Sequence, residues 1–204
     1  MFGSDFDIIV AYAPVKQPAR VYPLHPYERQ VEVDKCKNEM ARLEKYSVWR
    51  LLEKTVRTYL NLDFDNLKFT KTDNGQWICP DFCFSLSHTN GLICVAISAD
   101  PIGVDTELVR EINLNLKEKI LTPNELSALE DISGEDVGPY LLEAWVRKES
   151  IFKKTGGKAL LPNRTEASAY HTTLRYVSIG EANFLISVAS DFSKKTKFIY
   201  MEDL

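Results

Sequence analysis

The chain has 204 residues, 45% of them hydrophobic, with 25 basic against 29 acidic side chains and a net charge of −4. That is enough apolar material to bury a real core, in one ordinary domain or two small halves, and the weakly acidic balance argues against a nucleic-acid surface spread over the whole molecule. A local basic pocket stays open, while Cys36, Cys79, Cys83 and Cys94 lack the paired spacing and His partners of a zinc site and read as reduced thiols.

The opening MFGSDFDIIVAYAP carries Asp5 and Asp7 ahead of a short apolar run, unlike the basic start and long apolar core of a signal peptide. No stretch along the chain approaches the roughly 20 apolar residues of a membrane helix, so a soluble, cytoplasmic protein is the expectation. DIIVAYAP, rich in branched residues and closed by Pro14, predicts a first strand. From about Glu28 to Leu60, Val31, Val33, Leu43, Val48, Leu51, Leu52 and Val56 recur at helical steps, as an amphipathic helix or helix pair requires. Asn74-Gly75 and Asn90-Gly91 are two-residue turn signals, predicting one hairpin over LKFTKTDNGQWIC and another over FCFSLSHTNGLICVAIS. PIGVDTEL continues as a strand. Thr122, Pro123 and Glu125 then form a capping-box sequence that starts a helix, and YLLEAWVRKESIFKKTGG is a second helix stopped by Gly156-Gly157. LRYVSIGEANFLISVASD supplies terminal strands. LICVAISAD at 92–100 and FLISVASD at 184–191 echo each other, as a duplicated α+β unit or chance similarity of two β-rich segments would both allow.

Two groups of residues carry chemistry. On a strand, Asp105 and Glu107 share one side while Val104 and Leu108 turn toward the core, and paired carboxylates make a platform for a hard metal ion. On a helix, Glu149 and Lys153 are four apart, with Trp145 one turn earlier as an apolar anchor. Plainer readings exist: a Glu–Lys pair at this spacing is usually surface decoration, and the two carboxylates could cap a sheet edge. TGGK follows a helix instead of a strand and lacks the full phosphate-loop spacing, so it reads as a helix cap. His25 and His171 have no motif around them and read as structural or surface residues.

Together, Gly103-Val104-Asp105-Thr106-Glu107 and, about forty residues on, Trp145-Val146-Arg147-Lys148-Glu149-Ser150-Ile151-Phe152-Lys153 resemble the 4′-phosphopantetheinyl transferases, and FSLSHTNG at 84–91 resembles that family's upstream Ser-His segment. The resemblance spans about residues 40–165, and the chain's length is similar to that of the longer, surfactin-synthetase-activating type. It implies an α+β fold of two similar halves packed as an intramolecular pseudo-dimer, here 1–100 and 101–204, the second carrying most metal ligands and the active site lying between them. It also implies a monomer that moves phosphopantetheine from coenzyme A to a serine of an acyl, peptidyl or polyketide carrier protein and releases adenosine 3′,5′-bisphosphate.

In that reading Asp105, Glu107 and Glu149 are the Mg²⁺ ligands, Glu149 and Lys153 are catalytic, and Glu149 takes the serine proton directly or through a metal-bound water. Ser87, His88, Lys148 and Lys153 are the implied coenzyme contacts, His88 meeting either the 3′-phosphate or the pyrophosphate. The family's N-terminal basic cluster has no clean counterpart here; the nearest candidates are Arg42, Lys45 and Arg50, and Gln76 stands where many relatives have a basic residue. A coenzyme or carrier binding module without turnover, and a Mg²⁺-dependent nucleotide hydrolase, are the competing functions.

Overall fold

The computed structural model describes residues 6–202, so Asp5 and the outermost ends of the two expected halves lie outside the described residues. Strand β1 (Ile8–Pro14) is buried on both faces: Ile9, Ala11 and Ala13 join one apolar cluster, Ile8 and Val10 another. Alternation therefore sets it in the middle of a layered stack. The periodic stretch that follows is a helix pair, α1 (Tyr27–Asp34) and α2 (Glu39–Tyr59). Asn38 caps the second by accepting the Ala41 amide at 2.9 Å, and Val48, Leu51, Leu52, Thr55 and Val56 form its buried stripe. Trp49, fully buried, has Phe64, Phe69, Trp77 and Phe84 around it at ring separations of 5.2 to 6.4 Å. Truncating such a ring to alanine costs about 3–5 kcal/mol. His25 belongs to this cluster, edge-on to Phe69 with Nε2 against the Leu67 carbonyl at 2.8 Å, and is structural.

The two Asn-Gly turns join β2 (Thr70–Lys71) to β3 (Trp77–Ile78) and β4 (Cys83–Thr89) to β5 (Leu92–Ser98). Asn90 and Gly91 take φ of 44° and 87°, the left-handed values that a two-residue hairpin turn needs. After β6 (Gly103–Leu108) come the short helices α3 (Lys117–Ile120) and α4 (Pro123–Ala128), the latter opened by the predicted capping box of Thr122 and Glu125. Helix α5 (Val137–Thr155) ends at Gly156, whose φ of 64° makes the left-handed cap. Strands β7 (His171–Ile179), β8 (Ala182–Ser190) and β9 (Thr196–Tyr200) complete the described chain.

The larger sheet has the order β4-β5-β1-β9 and the second β6-β8-β7. The fold is α+β, and each half runs strand, long helix, hairpin: β1-α2-β4-β5, then β6-α5-β7-β8. The echoed segments are β5 and β8, the central strands that pair antiparallel with the first strand of their own half. Between the sheets lie Val10, Cys94 and Ala96 from one side and Val104, Ile186 and Val188 from the other; α2 covers the first sheet's outer face and α5 the second's. Asp100 itself lies in the connection between β5 and β6. Strand β9, which the sequence reading does not anticipate, departs from a simple division: it pairs parallel with β1, from Ile8 opposite Thr196 to Tyr12 opposite Tyr200. Among the described residues no helix is long and apolar enough to cross a membrane.

Candidate active site

The site grows out of the line where β4 of the larger sheet runs beside β6 of the second. Ser85 and Ser87 are two apart on β4 and so face the same side. Their hydroxyls accept the amides of Val104 at 2.9 Å and Thr106 at 3.2 Å, so serine side chains connect the two strands where a backbone ladder would otherwise run. Ser87 then donates its own proton to Asp105 Oδ1 at 3.0 Å. Beside the coenzyme contact implied for it, Ser87 thus has a role inside the fold: the residue is 4% exposed, and its proton orients a carboxylate.

On the other side of β6, α5 approaches very closely. A Cβ on Gly103 would lie 1.9 Å from the Ser150 carbonyl oxygen and 2.5 Å from the Lys154 amide nitrogen, so only glycine permits the approach. It brings Lys153 Nζ within 2.7 Å of Asp105 Oδ1 and 3.3 Å of the Leu86 carbonyl. Trp145, read from spacing as an apolar anchor, also has a polar role, donating its indole N–H to Glu107 Oε1 at 3.1 Å. Asp105, Glu107, Glu149 and Lys153 are thus brought together from β6 and α5, with Val104 turned into the intersheet core as the alternation predicts.

Two of the three carboxyls, those of Glu107 and Glu149, are raised. Burial pushes the Glu149 carboxyl up to about 7, the charges of Asp105 and Glu107 push in the same direction, and Lys153 opposes them. Glu107 is raised as well, first by burial and then by Asp105, against the Trp145 hydrogen bond. Asp105 Oδ2 is buried with no hydrogen-bond partner. A desolvated anionic oxygen beside two carboxylates that repel it calls for positive charge beyond the single Lys153 ammonium. Among the described residues no group of three or more His, Cys, Asp or Glu side chains forms a ready-made metal cage, and Asp105 is instead held by Lys153. The donor set is all carboxylate oxygen, which suits a hard divalent cation.

His88 follows Ser87 on β4, and its Nδ1 meets Glu44 Oε2 of α2 at 3.1 Å. Burial holds the imidazole below its ordinary value; Glu44 draws it back up, while Lys153 and Lys45 push it down. Lys45 is therefore within electrostatic reach of the site. Arg42 is exposed and lines a separate groove of about 430 Å³ with Gln17, Gln30 and Glu39. Arg50 is engaged with Glu53 and lies 5.6 Å from the Tyr22 ring. Lys148 requires a correction. It is fully buried, its ammonium paired with Glu125 and bonded to the carbonyls of Ile120 at 2.7 Å and Pro162 at 2.9 Å, so all three of its donors are used away from the cluster. His171 lines another pocket, beside Tyr140 and Arg147.

A cleft of about 260 Å³ opens beside Lys153, lined by Gln76, Trp77, Phe84, Ser85, Phe152 and Gly157 among others. At its rim Asn74 donates to the Gly156 carbonyl at 2.7 Å and Gln76 to the Lys153 carbonyl at 3.0 Å. The amide at position 76 thus caps the last turn of α5, a use that a basic side chain could share only partly. Neither contact is legible in sequence, because both join residues about eighty positions apart. Ser85 and Glu44 are missed as well, although each leaves a trace: two serines at strand spacing, and one charged residue among the apolar positions of α2.

The family model described as the 4′-phosphopantetheinyl transferase superfamily matches residues 101–186. 4′-Phosphopantetheinyl transferase ffp of Bacillus subtilis is 29% identical over 115 residues, covering 55% of this chain and 51% of the relative. 4′-Phosphopantetheinyl transferase gsp of Aneurinibacillus migulanus is 29% identical over 113 residues, covering 55% and 48%, and 4′-phosphopantetheinyl transferase Sfp of Bacillus subtilis (strain 168) is 26% identical over 115 residues, covering 55% and 51%. The matched stretch spans about half the length of these curated relatives. The matched residues 101–186 run from the GVDTE strand through the WVRKES helix to the middle of β8, so the similarity to the 4′-phosphopantetheinyl transferase superfamily falls on the strand and helix that carry Asp105, Glu107, Glu149 and Lys153.

Proposed function

We propose that this chain transfers the 4′-phosphopantetheine group of coenzyme A to a serine of a carrier protein, with release of adenosine 3′,5′-bisphosphate. The observation that carries the reading is the buried Asp105 held by Lys153 and Ser87, with Glu107 and a Glu149 raised to about 7 beside it. The similarity to 4′-phosphopantetheinyl transferases of Bacillus subtilis and Aneurinibacillus migulanus supports the same transfer. Asp105, Glu107 and Glu149 would hold Mg²⁺, which neutralises the charge of a bound pyrophosphate. Lys153 adds positive charge toward the leaving phosphate, and its place beside the cleft favours that space for the coenzyme. Glu149 takes the proton of the attacking serine, a role suited to a carboxylate poised near neutrality. The reading includes a single chain acting in the cytoplasm, and its four free cysteines are in keeping with a reducing compartment.

The test is to incubate the chain with coenzyme A, Mg²⁺ and a panel of apo acyl, peptidyl and polyketide carrier proteins, and to read intact masses. A mass gain of one phosphopantetheinyl group on a carrier, dependent on Mg²⁺, is the expected result. Coenzyme binding without an adduct on any carrier would instead make the chain a binding module. Free phosphopantetheine without an adduct would make it a hydrolase.

A further inference from the structure

We propose that Glu44 is a positioning residue for His88, its carboxylate fixing the imidazole so that Nε2 is presented to a phosphate of the coenzyme. The inference rests on reading His88 as a phosphate contact and deepens that reading. Glu44 sits on the buried stripe of α2, four residues before Val48, and is only 8% exposed. An aliphatic residue would pack there without desolvating a charge. The carboxylate divides its oxygens between two partners: Oε1 accepts the Gly91 amide at 3.1 Å, and Oε2 meets His88 Nδ1 at 3.1 Å. One oxygen thus holds the β4–β5 turn, and the other holds the ring that precedes it by three residues.

An ionised carboxylate only accepts hydrogen bonds, so the Nδ1 facing it carries the proton in either protonation state of the ring. Nε2 is left for a ligand: a lone pair when the ring is neutral, an N–H donor when it is charged. Burial holds the ring below its ordinary value, and Glu44 pulls the other way, toward the charged, donating form, against Lys153 and Lys45 as well. Of the two polar side chains Ser87 and His88, only the imidazole retains a nitrogen uncommitted to the fold, since Ser87 is taken by Asp105 and Thr106. The carboxylate behind His88 therefore decides what the ring offers to an anion.

The experiment is a double-mutant cycle on the full chain with Glu44→Gln, His88→Ala and the double variant. Coenzyme A affinity is measured by calorimetry with Mg²⁺, coenzyme and carrier KM by the adduct assay, and stability by melting. Glutamine keeps an acceptor for Gly91, so the turn is preserved. Glu44→Gln should weaken coenzyme A about tenfold, the scale seen when an orienting partner behind a ligand-binding imidazole is lost. Carrier KM should not move, and Glu44→Gln should add nothing in the His88→Ala background. Additive effects, or lowered melting with unchanged coenzyme affinity, would make Glu44 a turn anchor and overturn the inference. A wild-type chain that binds no coenzyme A would overturn the reading of the site and the inference with it, whereas wild-type binding with an additive cycle overturns the inference alone. If Glu44→Gln does not fold, nitrogen-15 NMR of the wild-type histidines decides, because a neutral His88 protonated at Nε2 contradicts the proposed tautomer.

Discussion

Glu149→Gln should make the metal-free protein more stable while abolishing transfer. Burial and the charges of Asp105 and Glu107 raise the Glu149 carboxyl from 4.5 to about 7. The folded state therefore holds this proton more tightly than the unfolded chain does, and stability falls as pH rises through that window, the penalty being complete above it. At face value the shift is worth about 3 kcal/mol, which solvent screening around a half-buried side chain reduces to about 1–2 kcal/mol. Glutamine is neutral throughout and escapes the penalty. In chelator-treated buffer at pH 8 the variant should melt roughly 2–8 °C above the wild type, given about 2–4 °C per kcal/mol for a chain of this size. At pH 5 the difference should nearly vanish, because the wild-type carboxyl is then mostly protonated as well. Urea unfolding at both pH values, with and without Mg²⁺, checks the reasoning, and Mg²⁺ should stabilise the wild type more than the variant. A variant less stable than the wild type at pH 8, or a gap that does not change with pH, would refute the account of mutual repulsion in the site.

Gly103→Ala sets a methyl group against backbone atoms of Ser150 and Lys154, so α5 must retreat from β6, lowering stability by about 1–3 kcal/mol and turnover with it although no ligand is touched; melting and the adduct assay together test this, and normal turnover would show that the helix can withdraw without moving Glu149 and Lys153. Ser87→Ala removes both the bond to Asp105 and the acceptor for the Thr106 amide, and Ser85→Ala removes only the acceptor for the Val104 amide. Turnover should fall further in the first than in the second, and equal losses would mean that orienting Asp105 is unimportant. Lys148→Met leaves Glu125 without its ammonium and should cost about 3–5 kcal/mol of stability with an unchanged coenzyme KM in the folded protein. A raised KM at an unchanged melting temperature would restore Lys148 to the coenzyme site.

Period-two and period-3.6 patterning made much of the framework legible. The GVDTEL strand, the helix through Trp145 and Lys153, both Asn-Gly hairpins and the Thr122–Glu125 cap can be read directly, because local spacing determines each of them. Spacing also says that Asp105 and Glu107 share one side of a strand and that Glu149 and Lys153 share one face of a helix, but a common site for the two pairs is implied only by the family resemblance. What it does not say is which long-range partner a polar group finds. Ser87 and Lys148 sit in family-like text, yet one turns to a carboxylate and the other to Glu125 across twenty-three residues of chain. Glu44, Asn74 and Gln76 gain their meaning only when α2 meets the β4–β5 turn and the β2–β3 turn meets the end of α5. Strand β9 was missed for the same reason: TKFIY is short, and its pairing partner lies at the opposite end of the chain.

That last pairing bears on how the chain is made. β1 emerges from the ribosome well before β9, the strand that covers its edge with Ile8 opposite Thr196. Until then the first sheet can close on its β5 side only, and the β1 edge stands as an open row of backbone donors and acceptors. A nascent chain stalled between β1 and residue 196 therefore carries an uncovered strand edge, and that exposure lasts until after the residues of the candidate site have been added.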